Sequence, residues 1–350
     1  IRDSVASRGL GDVYKRQDDS MRIILCGFGV VAQSFTSLLV SRSNELYSKY
    51  GLKPRIVGVF DSKGSAYDSA GLNLKKLLDA KKKSGSVKAY KTKSQVSGIE
   101  MIKTFDADVV IETTASNYKD AEPGMSHIIT AMKQKMHVIS VNKGPLALAF
   151  PSLMELAEFN QVLLRFSGTV GGGTPILDYA KNSLLGEKII SFQGILNGTT
   201  NYILSNMADG MSFDEALSDA KQKGYVEADE SLDLDGLDAG AKLVILANWI
   251  MGMKVTMPDI TRKGIRDVNT DDIKKAQKNF SSIKLIASCD DTLTVSPIEV
   301  KNDDPLCVNG TLNAIAFTSK HSGTQTIIGR GAGGIETASS IIRDLSLIHI

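Results

Sequence analysis

Cysteine and histidine are scarce in this chain, three of the first and four of the second in 350 residues, and that scarcity removes whole classes of protein. Cys26, Cys289 and Cys307 are odd in number and form no CxxC pair, so neither a disulfide framework nor a zinc cluster is expected, and a reducing cytoplasm is the compartment that fits. No apolar run reaches the roughly 18 residues a bilayer span needs. No segment has the charged, apolar, small-residue order of an export signal either, so no membrane partner is expected. Neither sign of charge is in excess: 41 Lys and Arg face 39 Asp and Glu for a formal net charge of +2, and nothing marks a nucleic-acid partner. The one compact cationic run, Lys81-Lys82-Lys83, reads as a solvated helix end. Internal repeats and low-complexity linkers are also missing.

What remains is an ordinary globular composition, 42% hydrophobic and 23% charged, in a chain long enough for two domains with their own cores. Residues 1–20 are polar and patternless ahead of Met21 and are expected to be disordered or foreign to the fold; Ser346 to Ile350 are read the same way. Met21 to Cys26 is a short apolar run that stops at Gly27, and a helical pattern follows from Val30 to about Tyr50. Similar runs, Arg55 to Phe60, Ala107 to Ile111 and His137 to Val141, end in Asp61, Glu112-Thr113-Thr114 and Asn142, with a helical segment from about Asp120 to Lys135. Continuous apolar strands alternating with helices specify an α/β chain with a parallel sheet covered on both faces. Residues 21–150 therefore read as a Rossmann-type doubly wound dinucleotide-binding domain. Beyond Pro151, strand-like runs mix with helices near 201–209, 213–224 and 237–251. That describes a second, mixed α/β domain over 151–325 for substrate, catalysis and dimerisation. Residues 326–345, glycine-rich and then helical, are expected to return to the first domain.

Gly27-Phe28-Gly29-Val30-Val31-Ala32 is a GxGxxA turn between strand and helix. Gly27 permits the tight turn, Gly29 lets the backbone approach a pyrophosphate, and Ala32 lets helix pack on sheet, with phosphate on the N–H groups of the helix start. Alone the pattern is weak; Asp61 at the end of the next strand strengthens it. An acidic residue there bonds the ribose hydroxyls of NAD, whereas Lys63 two residues on suits the 2′-phosphate of NADP, so NAD and NADP both stay open. Thr113 and Thr114 would lie at the carboxyl edge of the sheet, on the nicotinamide side.

The stretch from Gly224 to Lys242 carries six carboxylates, counted from Glu227 to Asp238. Its spacing lacks the ligand rhythm of a calcium loop. Asp238 and Lys242 are four apart at the start of a helix whose remainder is apolar, so they share one face. Such a pair is as readily a surface ion pair as a catalytic device.

Ala220-x-x-x-Gly224-Tyr225 followed by Asp233-Leu234-x-Gly236-x-Asp238-x-x-x-Lys242 resembles the signature of the homoserine dehydrogenases. The segments Val141 to Ala147, Thr169 to Pro175 and Gly194 to Leu204 and the glycine-rich tail resemble the same family, in its order, across about Met21 to Leu345. The resemblance implies oxidoreduction between L-aspartate 4-semialdehyde and L-homoserine, a step of threonine and methionine biosynthesis, with NAD or NADP, in a homodimer. It implies Lys242 and Lys143 as the lysines that handle the proton, Asp238 as the carboxylate on the substrate oxygen, and Glu227 and Asp233 near the substrate amino group. Cofactor contacts would come from Phe28 to Val31, Thr114, Lys143, Gly224, and Gly331 or Gly333. Backbone carbonyls of Val170, Gly172 and Thr174 would form a monovalent-cation site for sodium or potassium, although the family's glutamate ahead of that loop is Ser167 here. Val226 and Glu230 also depart from the signature. No ACT-like or kinase extension is expected, since the pattern nearly exhausts the chain. Two alternatives stay open: another two-domain dehydrogenase of a small amino-acid aldehyde, such as aspartate-semialdehyde dehydrogenase, or a cofactor-binding sensor without turnover. The first needs an activated cysteine, and no cysteine here has a histidine close in sequence.

Overall fold

The computed structural model describes residues 20–90, 96–226 and 229–349. The expectation for residues 1–20 therefore falls, Ser20 apart, outside the described residues, as does Glu227.

The first sheet is built from β1 (Met21–Cys26), β2 (Pro54–Asp61), β3 (Gly64–Tyr67), β4 (Val109–Glu112), β5 (His137–Ser140) and β6 (Leu164–Arg165), in the order β3-β2-β1-β4-β5-β6. All neighbours run parallel except β3, which folds back on β2 as an antiparallel edge. Strand residues face opposite layers in alternation. Ile23, Leu25, Val59 and Ile111 pack under helix α1 (Val30–Tyr50), whereas Ile24, Cys26, Phe60 and Val110 join the larger core on the other face. Helices α2 (Leu74–Ser84), α3 (Gly98–Thr104), α4 (Gly124–Lys133) and α5 (Lys143–Phe159) complete this half.

Two boundaries differ from those read off the sequence. The first sheet does not end at 150, because α5 runs through Pro151 and delivers the chain to β6 at the sheet edge. Ala149 is non-helical (φ −146°, ψ 34°), so Pro151 sits in the first turn of a restarted helix, where its missing N–H costs nothing. The second correction concerns Gly323–Arg330, strand β12, which belongs wholly to the second sheet, so the returning segment starts after Arg330 rather than at 326.

The second sheet comprises β7 (Ile189–Ile195), β8 (Thr261–Arg262), β9 (Ser281–Cys289), β10 (Leu293–Lys301), β11 (Leu312–Ser319) and β12, in the order β12-β11-β7-β9-β10-β8. It is antiparallel apart from β8 beside β10. Helices α6 (Gly198–Ala208), α7 (Phe213–Gln222), α8 (Ser231–Leu234), α9 (Leu237–Met251) and α10 (Thr270–Lys278) belong to this half. The Ser212 and Glu215 side chains close a capping box on α7. Helix α9 is buried continuously from Ala239 to Asn248, as its apolar composition on all sides requires. Its Trp249 meets Phe150 of α5 edge-on, so α9 spans the two halves. The last helix, α11 (Gly334–His349), returns to the first sheet and buries Ala338, Ile341 and Leu345 beside Phe35 and Leu39 of α1. Among the described residues no helix is long and apolar enough to cross a membrane.

Candidate active site

The glycine turn closes against both neighbouring strands. Gly27 N–H donates to the Phe60 carbonyl (3.0 Å), and the Thr113 hydroxyl donates to the carbonyls of Cys26 (2.9 Å) and Gly27 (3.2 Å). Gly27 has φ +87°, and a Cβ there would stand 3.1 Å from the Thr113 backbone, so the position requires glycine. At Gly29 a Cβ would meet nothing within 4 Å: open space lies over the start of α1. Helix α1 has no side-chain cap and no acidic residue in its first turn, so its leading N–H groups and positive dipole end face that space. This cradle fits the pyrophosphate of a dinucleotide. Val30 is exposed and Val31 half-buried at its rim, whereas the Phe28 side chain is buried in the core and only its backbone faces the turn. The tail closes the far side: a Cβ on Gly334 would strike Val30 and Ser34. Gly331 packs on Asn313, Gly333 lies by the Glu336 carboxylate, and Gly224 is exposed on the other half.

Asp61 is bonded from within the protein. Its carboxylate, 6% exposed, accepts from the backbone N–H groups of Lys63 (2.9 Å), Gly64 (3.1 Å) and Val87 (2.9 Å), from the Ser86 hydroxyl (3.0 Å) and from Lys81 Nζ (2.8 Å). Five donors fill a group with about four lone-pair sites, so a ribose hydroxyl has nothing left to bond. Lys81 accordingly turns inward, while Lys82 and Lys83 are exposed as a helix end should be.

At the carboxyl edge of β4 and β5, Glu112 is fully buried and accepts from Thr114 N–H (2.8 Å), the Thr114 hydroxyl and Asn142 Nδ2 (3.4 Å), while its other oxygen pairs with His127 Nδ1 (2.7 Å). Asn142 caps α5, and Lys143 N–H donates to Ser116 Oγ (3.0 Å). These contacts aim Lys143 at the second half. Its Nζ lies 3.4 Å from Asp238 Oδ1, and the other oxygen of Asp238 accepts from Lys242 Nζ at 2.6 Å. Lys242 also donates to the Leu196 carbonyl (2.6 Å), and Asn197 Nδ2 bridges Asp233 Oδ1 (2.7 Å) and Asp238 Oδ2 (2.9 Å). Burial would raise the Asp238 carboxyl, but Lys242 and Lys143 with these hydrogen bonds outweigh it and hold the group well below the usual carboxylate range. Two amines thus share one carboxylate. Sequence reasoning assigned no role to Asn197, whose signal is its N-cap position before Gly-Thr-Thr, nor to Tyr118, whose phenol is pushed up by burial beside Lys143, Asp238 and Asp233.

Two of the three carbonyls expected to hold a monovalent cation already accept one hydrogen bond each. Gly172 O accepts the Ser340 hydroxyl, Thr174 O accepts Ile176 N–H (2.8 Å), and Arg343 donates to the adjoining Gly173 O (3.3 Å). Val170 is buried beside them. Ser167 donates to the buried Asp344 (2.6 Å), and Arg165 and Arg343 both pair with Asp178 at 2.9 Å. Two guanidinium groups against two carboxylates leave no uncompensated negative charge beside this loop.

A dinucleotide cradle whose sheet edge meets a lysine–carboxylate–lysine cluster defines a two-domain nicotinamide-dependent dehydrogenase. The homoserine dehydrogenase family model matches residues 175–346, and the glutamate/leucine/phenylalanine/valine dehydrogenase model matches residues 10–128. Homoserine dehydrogenase from Methanocaldococcus jannaschii is 44% identical over 94% of this chain and 98% of its own length. The NAD(+)-dependent homoserine dehydrogenase of Pseudomonas canavaninivorans is 37% identical over 94% and 96%. A hyperthermophilic archaeal homoserine dehydrogenase solved in complex with NADPH superposes with a TM-score of 0.81 at 26% identity, covering 93% of this chain and 96% of that one. The chain belongs to the homoserine dehydrogenase family.

Proposed function

We propose that the chain interconverts L-aspartate 4-semialdehyde and L-homoserine with NAD or NADP. The observation that carries this reading is the Lys242 amine, held at 2.6 Å by both Asp238 and the Leu196 carbonyl, one carboxylate away from Lys143 at the sheet edge. An ammonium has three donors. Two are spent inside the protein, which leaves the third for a substrate oxygen. A nicotinamide dinucleotide, when bound, would supply the hydride for the aldehyde carbon or accept it in the reverse direction. Lys242 gives a proton to the oxygen as its negative charge develops, and recovers it from the alcohol in reverse. Asp238, kept ionised by its two lysines, accepts from both amines and so orients Lys242 toward the substrate oxygen. Lys143 spans cofactor edge and Asp238. Asp233, with Glu227, attracts the substrate's α-ammonium, and Asn197 sets the spacing of Asp233 from Asp238.

The experiment is nicotinamide absorbance with homoserine and each oxidised dinucleotide in turn; absence of turnover with both overturns the reading. The rival thioester route finds no support in Cys26 or Cys289. Burial pushes Cys26 up and Cys289 up to about 11, opposite to what an attacking thiolate needs. A homodimer through the second sheet is part of the same reading. Ile298 and Ile328 expose apolar surface on the sheet face opposite α9, and sedimentation of the whole chain tests it. The scarcity of cysteine supports a cytoplasmic setting.

A further inference from the structure

Family membership leaves the dinucleotide undecided, since its members include an NAD(+)-dependent enzyme and one solved with NADPH. We propose that this chain is built for the 2′-phosphorylated dinucleotide, NADP(H), and that Lys63, not Asp61, reads the adenosine ribose. The inference rests on the dehydrogenase reading above and deepens it.

An acid at the end of the second strand selects NAD in two ways: it accepts the ribose 2′ and 3′ hydroxyls, and its charge repels a 2′-phosphate. Asp61 stands in the right place, because the first glycine of the turn is bonded to the carbonyl of the residue before it. It can do neither job. Its two oxygens already hold five donors, and Lys81 at 2.8 Å cancels its charge. The same contacts hold the carboxyl below the usual Asp range against the upward pull of burial, so it does not become a donor to the ribose near neutral pH. The acid has become the internal anchor of the β2–β3 hairpin, tying it to the end of α2 and to Val87.

What the hairpin presents outward is Ser62 and Lys63, both exposed. Lys63 forms no ion pair among the described residues, and its ammonium reaches over the C-cap glycine of α2, Gly85. Lys82 and Lys83 are exposed on the same helix end. With Asp61 neutralised, the rim beside the glycine turn is cationic, with a hydroxyl next to it. That is the chemistry of a phosphate monoester site and a poor one for a bare diol.

Calorimetry with adenosine 2′,5′-bisphosphate and 5′-AMP reads the site without turnover. The expected result is at least about tenfold tighter binding of the bisphosphate at low salt, a gap that narrows as ionic strength rises. In Lys63→Ala the bisphosphate should lose most of that advantage while 5′-AMP binds within about twofold of wild type. Equal binding of the two nucleotides, or an advantage untouched by both salt and Lys63→Ala, overturns the proposal. Homoserine oxidation separates it from the wider reading. A higher kcat/KM with NAD than with NADP sinks the cofactor assignment alone, whereas no turnover with either while the bisphosphate still binds sinks the reaction and leaves the assignment standing.

Discussion

Asp238 is the residue on which two amines converge, and both of its oxygens are engaged by lysine. Lys242→Ala removes the proton donor but not the cradle. Its kcat should fall by about a hundredfold or more, with the dinucleotide Kd within about twofold of wild type. Unchanged turnover would take Lys242 out of the mechanism. Asp238→Asn tests the electrostatics through stability. The folded-state pKa of Asp238 lies below its unfolded value, so its contribution is present above the ordinary Asp range and lost as pH falls toward the folded value. Breaking such a pair costs roughly 3 kcal/mol or more where it is well buried. The stability gap between wild type and Asp238→Asn should therefore be large near neutrality and shrink steadily below about pH 4. Urea titrations across that range that found a constant gap would refute the assignment. The Asp238–Lys242 pair was legible from its i,i+4 spacing, yet spacing alone could not separate an active site from a surface ion pair. Burial of α9 takes the pair off the surface, because a lysine 6% exposed among apolar residues must be partnered.

The β1-turn-α1 unit makes opposite demands on its two glycines. Gly27→Ala forces a Cβ into a left-handed conformation beside Thr113 and should cost about 1–2 kcal/mol, seen as a lowered Tm. Gly29→Ala meets no atom and keeps an extended backbone, so Tm should hold while the dinucleotide Kd rises at least about tenfold. A fall in Tm with unchanged Kd for Gly29→Ala would remove the phosphate from that space. This element was readable because strand, turn and helix are local in sequence. The partner of Asp61 was not. Lys81 lies 20 residues on, in a lysine run whose composition said only that it was solvated, and the packing of α2 against the β2–β3 hairpin turned one of the three inward.

At the scale of the molecule, two sheets are joined by α5, α9 and the returning α11. Ser340 and Arg343 of α11 occupy the carbonyls of Gly172 and Gly173 from a sequence distance of about 170 residues. With the carboxylates beside that loop balanced by two guanidinium groups, exchanging sodium and potassium for choline at constant ionic strength should leave kcat within about twofold. A strict requirement for either ion would show that the loop opens to bind it. Periodicity, the glycine turn and the ordered family segments already specified the α/β class, the strand-turn-helix unit and the i,i+4 pairing of Asp238 with Lys242, because each is written in residues close together along the chain. The partners of Asp61, the bridge from Asn197 to two carboxylates, and the arginines at the cation loop depend on groups tens to hundreds of residues apart. Hydrogen-bonding capacity is finite, and which donor fills an acceptor first is set by packing, which no local pattern encodes.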